Sequence, residues 1–245
     1  MQHGKYQFNR LIDWKKAWID GADLSDTKTV VLAQARTLYI PIPKAANSSV
    51  KRALYPTLGL EADPKIDVHR DRRIPTLPLS EALKLAEDDW FIFTIVRDPF
   101  DRSLSAWTDK VLRKRVENQR SLRRMGLQPD DSHATLLSAL RGWPPRLLND
   151  HFMPQSMLSQ RALATGRLSV FHFETLNTDW PEISRRITAN GGPNPAPLPH
   201  LNTSRADYST AFTPQETKLI TAIYRNDLET FGYSTQRHAT NAEAV

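Results

Sequence analysis

Two charged turns in this sequence could do chemistry. At the first, Lys44 follows Pro43 and leads into small residues, Ala45, Ala46, Asn47, Ser48 and Ser49. Small side chains let an anion approach the backbone, a lysine adds a mobile point charge, and the N–H groups that open a helix have no intrahelical acceptor. At the second, Arg97-Asp98-Pro99 follows an apolar run and opens a helical pattern. Together the turns propose a site for two separate anionic groups. The glycines of a nucleoside-triphosphate P-loop are absent, because residues 43–49 contain none and the lysine precedes the small residues. That argues against an ATP or GTP enzyme and leaves another phosphate ligand open.

The elements that must position these turns follow from periodicity. Apolar runs at 29–33, 38–42, 90–96 and 167–173 read as strands, and 90–96 is apolar enough for a central parallel strand covered on both faces. Helices are expected at 46–57, from Ser80 as N-cap to about Glu87, at 99–117, 132–141 and 179–190, and from the capping box Thr213-Pro-Gln-Glu216 to near Gly232. Residues 60–78 and 192–204 are polar, proline-punctuated loops. Residues 8–20 form an irregular amphipathic stretch that reads as an N-terminal packing arm. Strands alternating with helices give an α/β three-layer sandwich around a central, mainly parallel sheet. Ligands of such sheets bind outside the carboxyl ends of the strands, where both turns fall. One domain is expected over residues 1–236, with 237–245 a disordered tail.

Composition narrows the partners. A net charge of +6 favours anionic ligands. The chain has no cysteine, which removes disulfides and thiolate chemistry and fits a reducing, cytoplasmic setting. No apolar run is long enough to span a bilayer, which leaves peripheral membrane contact open. The seven histidines and 27 acidic residues show no tight metal-ligand spacing, so no metal is expected. The densest basic run, 110–124, reads first as a solvated helix face and second as a surface for acidic groups.

The first turn, Pro43-Lys44-Ala-Ala-Asn-Ser-Ser49, resembles the 5′-phosphosulfate loop of sulfotransferases that use 3′-phosphoadenosine 5′-phosphosulfate (PAPS). The second, Arg97 to Ser105, resembles their 3′-phosphate loop. Asp150-His-Phe-Met-Pro-Gln155, Phe171-His-Phe-Glu-Thr-Leu176 and Asp227-Leu-Glu-Thr-Phe-Gly-Tyr233 are similar to the carbohydrate branch, sulfotransferase family 2, and the five segments fall in family order. The resemblance implies a P-loop nucleotide-binding-like sulfotransferase fold with PAPS as donor. It implies a carbohydrate or glycolipid hydroxyl as acceptor. Lys44 would then stabilise the leaving group, residues 45–49 would hold the 5′-phosphate, and Arg97 and Ser105 the 3′-phosphate. Asn47 departs from the Thr or Ser of many relatives. A general base is also needed, and a group that accepts a proton near neutral pH points to histidine or carboxylate. His69 comes first, since uronyl-type relatives place a histidine base between the two nucleotide motifs. His151 is the rival, with a substrate-orienting role the stronger reading for it. Glu174 is a third option, and His172 is better explained by strand packing. Outside the resemblance, a nucleotide-dependent kinase and a basic nucleic-acid-binding protein are the alternatives. The basic run offers neither the interleaved aromatics nor the reading helix that the latter needs.

Overall fold

The computed structural model describes residues 26–112, 122–123, 125–199 and 212–235. The expected arm at 8–20, residues 113–121 and 124 of the basic run, the end of the 192–204 loop and the tail lie outside the described residues. In chain order the elements are β1 (Lys28–Leu32), β2 (Thr37–Ile40), α1 (Asn47–Ala53), β3 (Thr76–Pro78), α2 (Leu79–Leu85), β4 (Phe91–Val96) and α3 (Pro99–Trp107). They continue with α4 (His133–Arg141), α5 (Gln155–Leu158), α6 (Gln160–Leu163), β5 (Leu168–His172), α7 (Leu176–Ala189), α8 (Pro214–Ile223) and α9 (Arg225–Phe231). They divide between two compact units: a sheet unit from the described residues of Ser25–Arg97 and Gln155–Thr203, and a helical unit from those of Asp98–Pro154 and Ser204–Val245.

In the sheet unit the strand order is β3-β1-β2-β4-β5. β2, β4 and β5 pair in parallel, while β1 runs antiparallel to both β2 and β3. All six residues of β4 are buried, as its unbroken apolar run requires. Alternation divides the side chains between two faces. On one face Val31, Leu38, Ile40 and Ile92 pack against Leu79 and Ala82 of α2 and Ala162 of α6. On the other, the Phe93 ring stacks 5.0 Å from both Tyr39 and Phe91, and Phe171 meets the two phenylalanines edge-on at 6.4 Å. Arg186 of α7 covers that aromatic face, with its guanidinium 3.9 Å from the Phe91 ring and Nη1 donating to Ser169 Oγ. Helix, sheet, helix: the expected three layers are present.

Several boundaries differ from the sequence reading. α1 stops at Ala53 and Pro56 opens a separate 3₁₀ turn, so the expected helix at 46–57 is in two pieces. Ser80 does not cap α2; the helix begins at Leu79, and Ser80 gives both its N–H and its hydroxyl to the carboxylate of Asp26. Residues 76–78 form the edge strand β3, a position that tolerates the flanking prolines. α7 begins three residues early and carries Pro181 inside it. The last helix is broken at Tyr224 into α8 and α9. α3 ends at Trp107 and passes into a π turn, Thr108–Leu112.

The helical unit is held by polar groups inside it. Asp98 caps α3 by accepting from the Phe100 N–H, Ser132 caps α4, and Thr213 and Glu216 form the expected capping box on α8. Arg102 is buried and donates to the carbonyls of Asp150 and Met153, while the Tyr224 hydroxyl donates to Phe152 O. Those three bonds pin the segment that precedes Gln155. His133, also buried, joins three helices: Nε2 lies 3.2 Å from Ser103 Oγ on α3, and Nδ1 lies 3.1 Å from Glu216 Oε1 on α8. Its ring sits against Trp107 and Phe212.

Burial lowers the pKa of His133 below its ordinary value, and Glu216 opposes the shift without reversing it. The unfolded chain therefore takes up this proton first, near pH 6.5, before the folded protein does. The contribution of His133 to stability is whole above that pH and is lost as pH falls below it. Chemical denaturation between pH 7.5 and 5.5 should show stability falling with pH through this group, by no more than about 1.4 kcal/mol per pH unit, a fall absent in His133→Phe. Parallel pH profiles for the two proteins would contradict it.

Candidate active site

The loop between β2 and α1 makes its turn without glycine. Lys44 has φ 69° and Ala46 has φ 56°, both left-handed, a conformation that costs a residue with a side chain about 1–2 kcal/mol. Such strain persists where the surroundings fix the chain, and it gathers at functional sites. Here Ile42 and Ala45 are fully buried beneath the loop. Ala46 is the N-cap of α1, so the N–H groups of Asn47, Ser48 and Ser49 have no acceptor within the helix. The side-chain oxygen of Asn47 is buried and has no hydrogen-bond partner among the described residues. A polar cradle of this kind is suited to an anion.

Parallel pairing of β2 with β4, from Thr37↔Phe91 to Ile40↔Thr94, brings the second turn beside the first. Arg97 Nη1 donates to the carbonyl of Lys44 at 3.2 Å, which ties the two turns together. The guanidinium lies 4.3 Å from the Phe173 ring, just beyond β5. The backbone of Arg97 is held by one side chain. Gln155, fully buried, accepts from the Arg97 N–H at 2.9 Å and donates to the Arg97 carbonyl at 2.8 Å. It completes the ladder where β4 ends, as a neighbouring strand would.

His69 is placed by an ordered loop. Asp63, Asp67 and Asp71, four residues apart, each accept from the N–H two residues ahead, giving three successive Asx turns. Arg52 of α1 fastens the first through the carbonyls of Asp63 and Ile66. The Tyr55 hydroxyl fastens the last through Asp71, whose carboxylate also takes a two-point contact from Arg73. The Arg73 hydrogen bonds, aided by Tyr55, hold the Asp71 carboxyl well below the usual carboxylate range. Between these fastenings Val68 is buried, and His69 Nε2 stands 2.7 Å from Ser48 Oγ. The histidine expected as base and a serine of the first turn are thus in contact.

The remaining sequence-predicted residues lie on other elements. Glu174 is exposed in a 3₁₀ turn after β5, next to Phe173. His172 ends β5 opposite Val96, in keeping with strand packing. Ser105, buried on α3, belongs to the helical unit, as does His151, whose Nδ1 contacts Asn149 Oδ1 at 2.8 Å and Asp150 Oδ1 at 2.7 Å. Sequence reasoning did not single out Gln155, Arg52, Tyr55 or Asp71. The four-residue spacing of the aspartates was the available signal for the loop. Among the described residues no group of histidines and carboxylates is placed to hold a metal ion, and no helix is long and apolar enough to cross a membrane.

The loop after β2 and the turn after β4 thus meet at the carboxyl ends of two parallel strands of an α/β unit. The sequence model of the sulfotransferase family matches residues 27–234, and the chain belongs to that family. No curated protein and no solved structure matches it.

Replacing Gln155 by leucine leaves the N–H and C=O of Arg97 without their buried partners. At about 1–3 kcal/mol for each such group, the variant should lose roughly 2–6 kcal/mol of stability in a denaturant titration. A loss under 0.5 kcal/mol would show that the clamp is dispensable.

Proposed function

We propose that this sulfotransferase takes its sulfuryl group from PAPS and passes it to a hydroxyl of a carbohydrate or glycoconjugate by in-line displacement. The observation that carries this reading is the hydrogen bond from Arg97 to the Lys44 carbonyl, because it unites the two turns that the family resemblance assigns to the two ends of the donor. The cradle fits such a donor. It offers the N–H groups of residues 47–49 and the hydroxyls of Ser48 and Ser49 to a 5′-phosphate, with Lys44 at its rim. The left-handed turn lets a bulky anion approach without the glycines of a triphosphate loop. Arg97 serves the 3′-phosphate, and Ser105 is assigned the same group by the family resemblance. The carbohydrate acceptor rests on the similarity of segments 150–155, 171–176 and 227–233 to one family branch.

The chain's own residues then do three things. Lys44 neutralises charge that builds on the bridging oxygen as the sulfur–oxygen bond breaks. The loop N–H groups fix the 5′-phosphate so that the bond lies in line with the incoming hydroxyl. His69 accepts the proton of that hydroxyl. By analogy with phosphoryl transfer, whose transition state is loose, positioning and charge stabilisation supply most of the rate.

Transfer of labelled sulfate from PAPS to a panel of sugars and simple alcohols tests the reading. Lys44→Ala should lower kcat at least 100-fold, the order expected when one charge-stabilising donor is lost. Arg97→Ala should chiefly raise KM for PAPS. Wild-type kinetics in both variants would overturn the assignment, and a wild-type protein that transfers phosphate from ATP but no sulfate from PAPS would overturn the donor.

A further inference from the structure

Ser48 and His69 meet at 2.7 Å through the two atoms that the proposed chemistry needs: the hydroxyl for the 5′-phosphate and Nε2 for the acceptor's proton. We propose that this hydrogen bond is a latch on the base, released when the donor binds. The inference rests on the PAPS reading above.

A serine hydroxyl has one proton to give. With the His69 proton on Nδ1, Ser48 donates to Nε2 and occupies the lone pair that must receive the acceptor's proton. A phosphate oxygen competes for the same hydroxyl proton. Hydrogen bonds to an ionised acceptor are roughly twice as strong as neutral ones, so the exchange favours the phosphate. The backbone that carries His69 is held in place. The His69 N–H is held by Asp67, its neighbour Val68 is buried, and Arg52 and Tyr55 fasten the loop to α1 and the residues just after it. Rotation of the Ser48 side chain about one bond is enough to break its contact with Nε2.

The proton count balances. Before the donor arrives, the Ser48 proton lies toward Nε2; afterwards it lies toward the 5′-phosphate, and no proton has left either residue. The acceptor hydroxyl then gives its proton to Nε2 as its oxygen bonds to sulfur. The bond from sulfur to the bridging oxygen breaks, its electron pair staying on that oxygen beside Lys44. The base is thereby engaged only when the donor is in place. Ser48 acts here as a positioning residue, through His69.

The test uses the full chain and 3′-phosphoadenosine 5′-phosphate (PAP), the desulfated donor, by calorimetry at pH 8, where an ordinary histidine is neutral. Wild type must break the Ser48–His69 bond to bind PAP, so His69→Ala should bind it about three- to tenfold more tightly, the change expected from one net hydrogen bond. In a Ser48→Ala background the His69 substitution should change nothing. Nitrogen NMR of His69 gives a second readout that a merely structural contact would not move. Nε2 should lose the signature of an accepted hydrogen bond when PAP is added to wild type, and Ser48→Ala should lack that signature from the start. Melting temperatures establish that the variants fold, as expected for one half-buried and one exposed side chain. If PAP binds wild type and His69→Ala equally, or leaves Nε2 unchanged, the latch is wrong while the donor reading stands. If wild type does not bind PAP, the donor reading fails and the latch with it.

Discussion

The parallel pairing of β2 with β4 is the constraint on which the site depends. Once Ile40 lies opposite Thr94, the chain leaves both strands at the same edge of the sheet, and the turns at Lys44 and Arg97 become neighbours. The Thr94 hydroxyl reinforces the pairing by donating to the Ile40 carbonyl, inside the sheet, at 2.8 Å. A slip of one residue would exchange the faces of every side chain on β4 and place Phe91 and Phe93 against α2 instead of α7. Fold and site are specified by one register.

Beyond the strand ends, regular hydrogen bonding runs out and single side chains take over. Gln155 extends the ladder at Arg97; Arg97 bridges to the loop carbonyl; Arg52 and Tyr55 hold the histidine loop to α1 and its end. These residues oppose a real cost, since Lys44 and Ala46 hold left-handed conformations that the chain would leave if it were free. Pre-organisation of this kind is useful where catalysis is mainly positioning, because the cradle need not be formed when the ligand arrives.

Much of this was legible in the sequence where the signal is local. The apolar run of β4, the Pro99 start of α3 and the capping box at Thr213 depend on residues within a few positions of one another, and each is present. Long-range signals were not legible. Ser80 looks like an N-cap, but the carboxylate that engages it belongs to Asp26, 54 residues away. Gln155 could be quoted within a family segment, yet its clamp on Arg97 spans 58 residues and follows from no spacing rule. The segment 60–78 looked like an unstructured loop because its order comes from aspartate side chains and an edge strand, neither of which has hydrophobic periodicity. The same loop carries His69, so the residue hardest to place from sequence is the one that the structure sets against Ser48, at the start of α1.

The central claim is that the joined turns recognise a nucleotide with phosphates at both the 5′ and the 3′ position. Thermal unfolding with PAP and with ADP measures this most directly, since ADP carries no 3′-phosphate. A ligand that binds only the folded protein stabilises it by about 2.7 kcal/mol at one hundred times its Kd. The account predicts a clear rise in Tm with PAP and little with ADP at the same concentration. Equal shifts for the two nucleotides, or none with PAP, would contradict it.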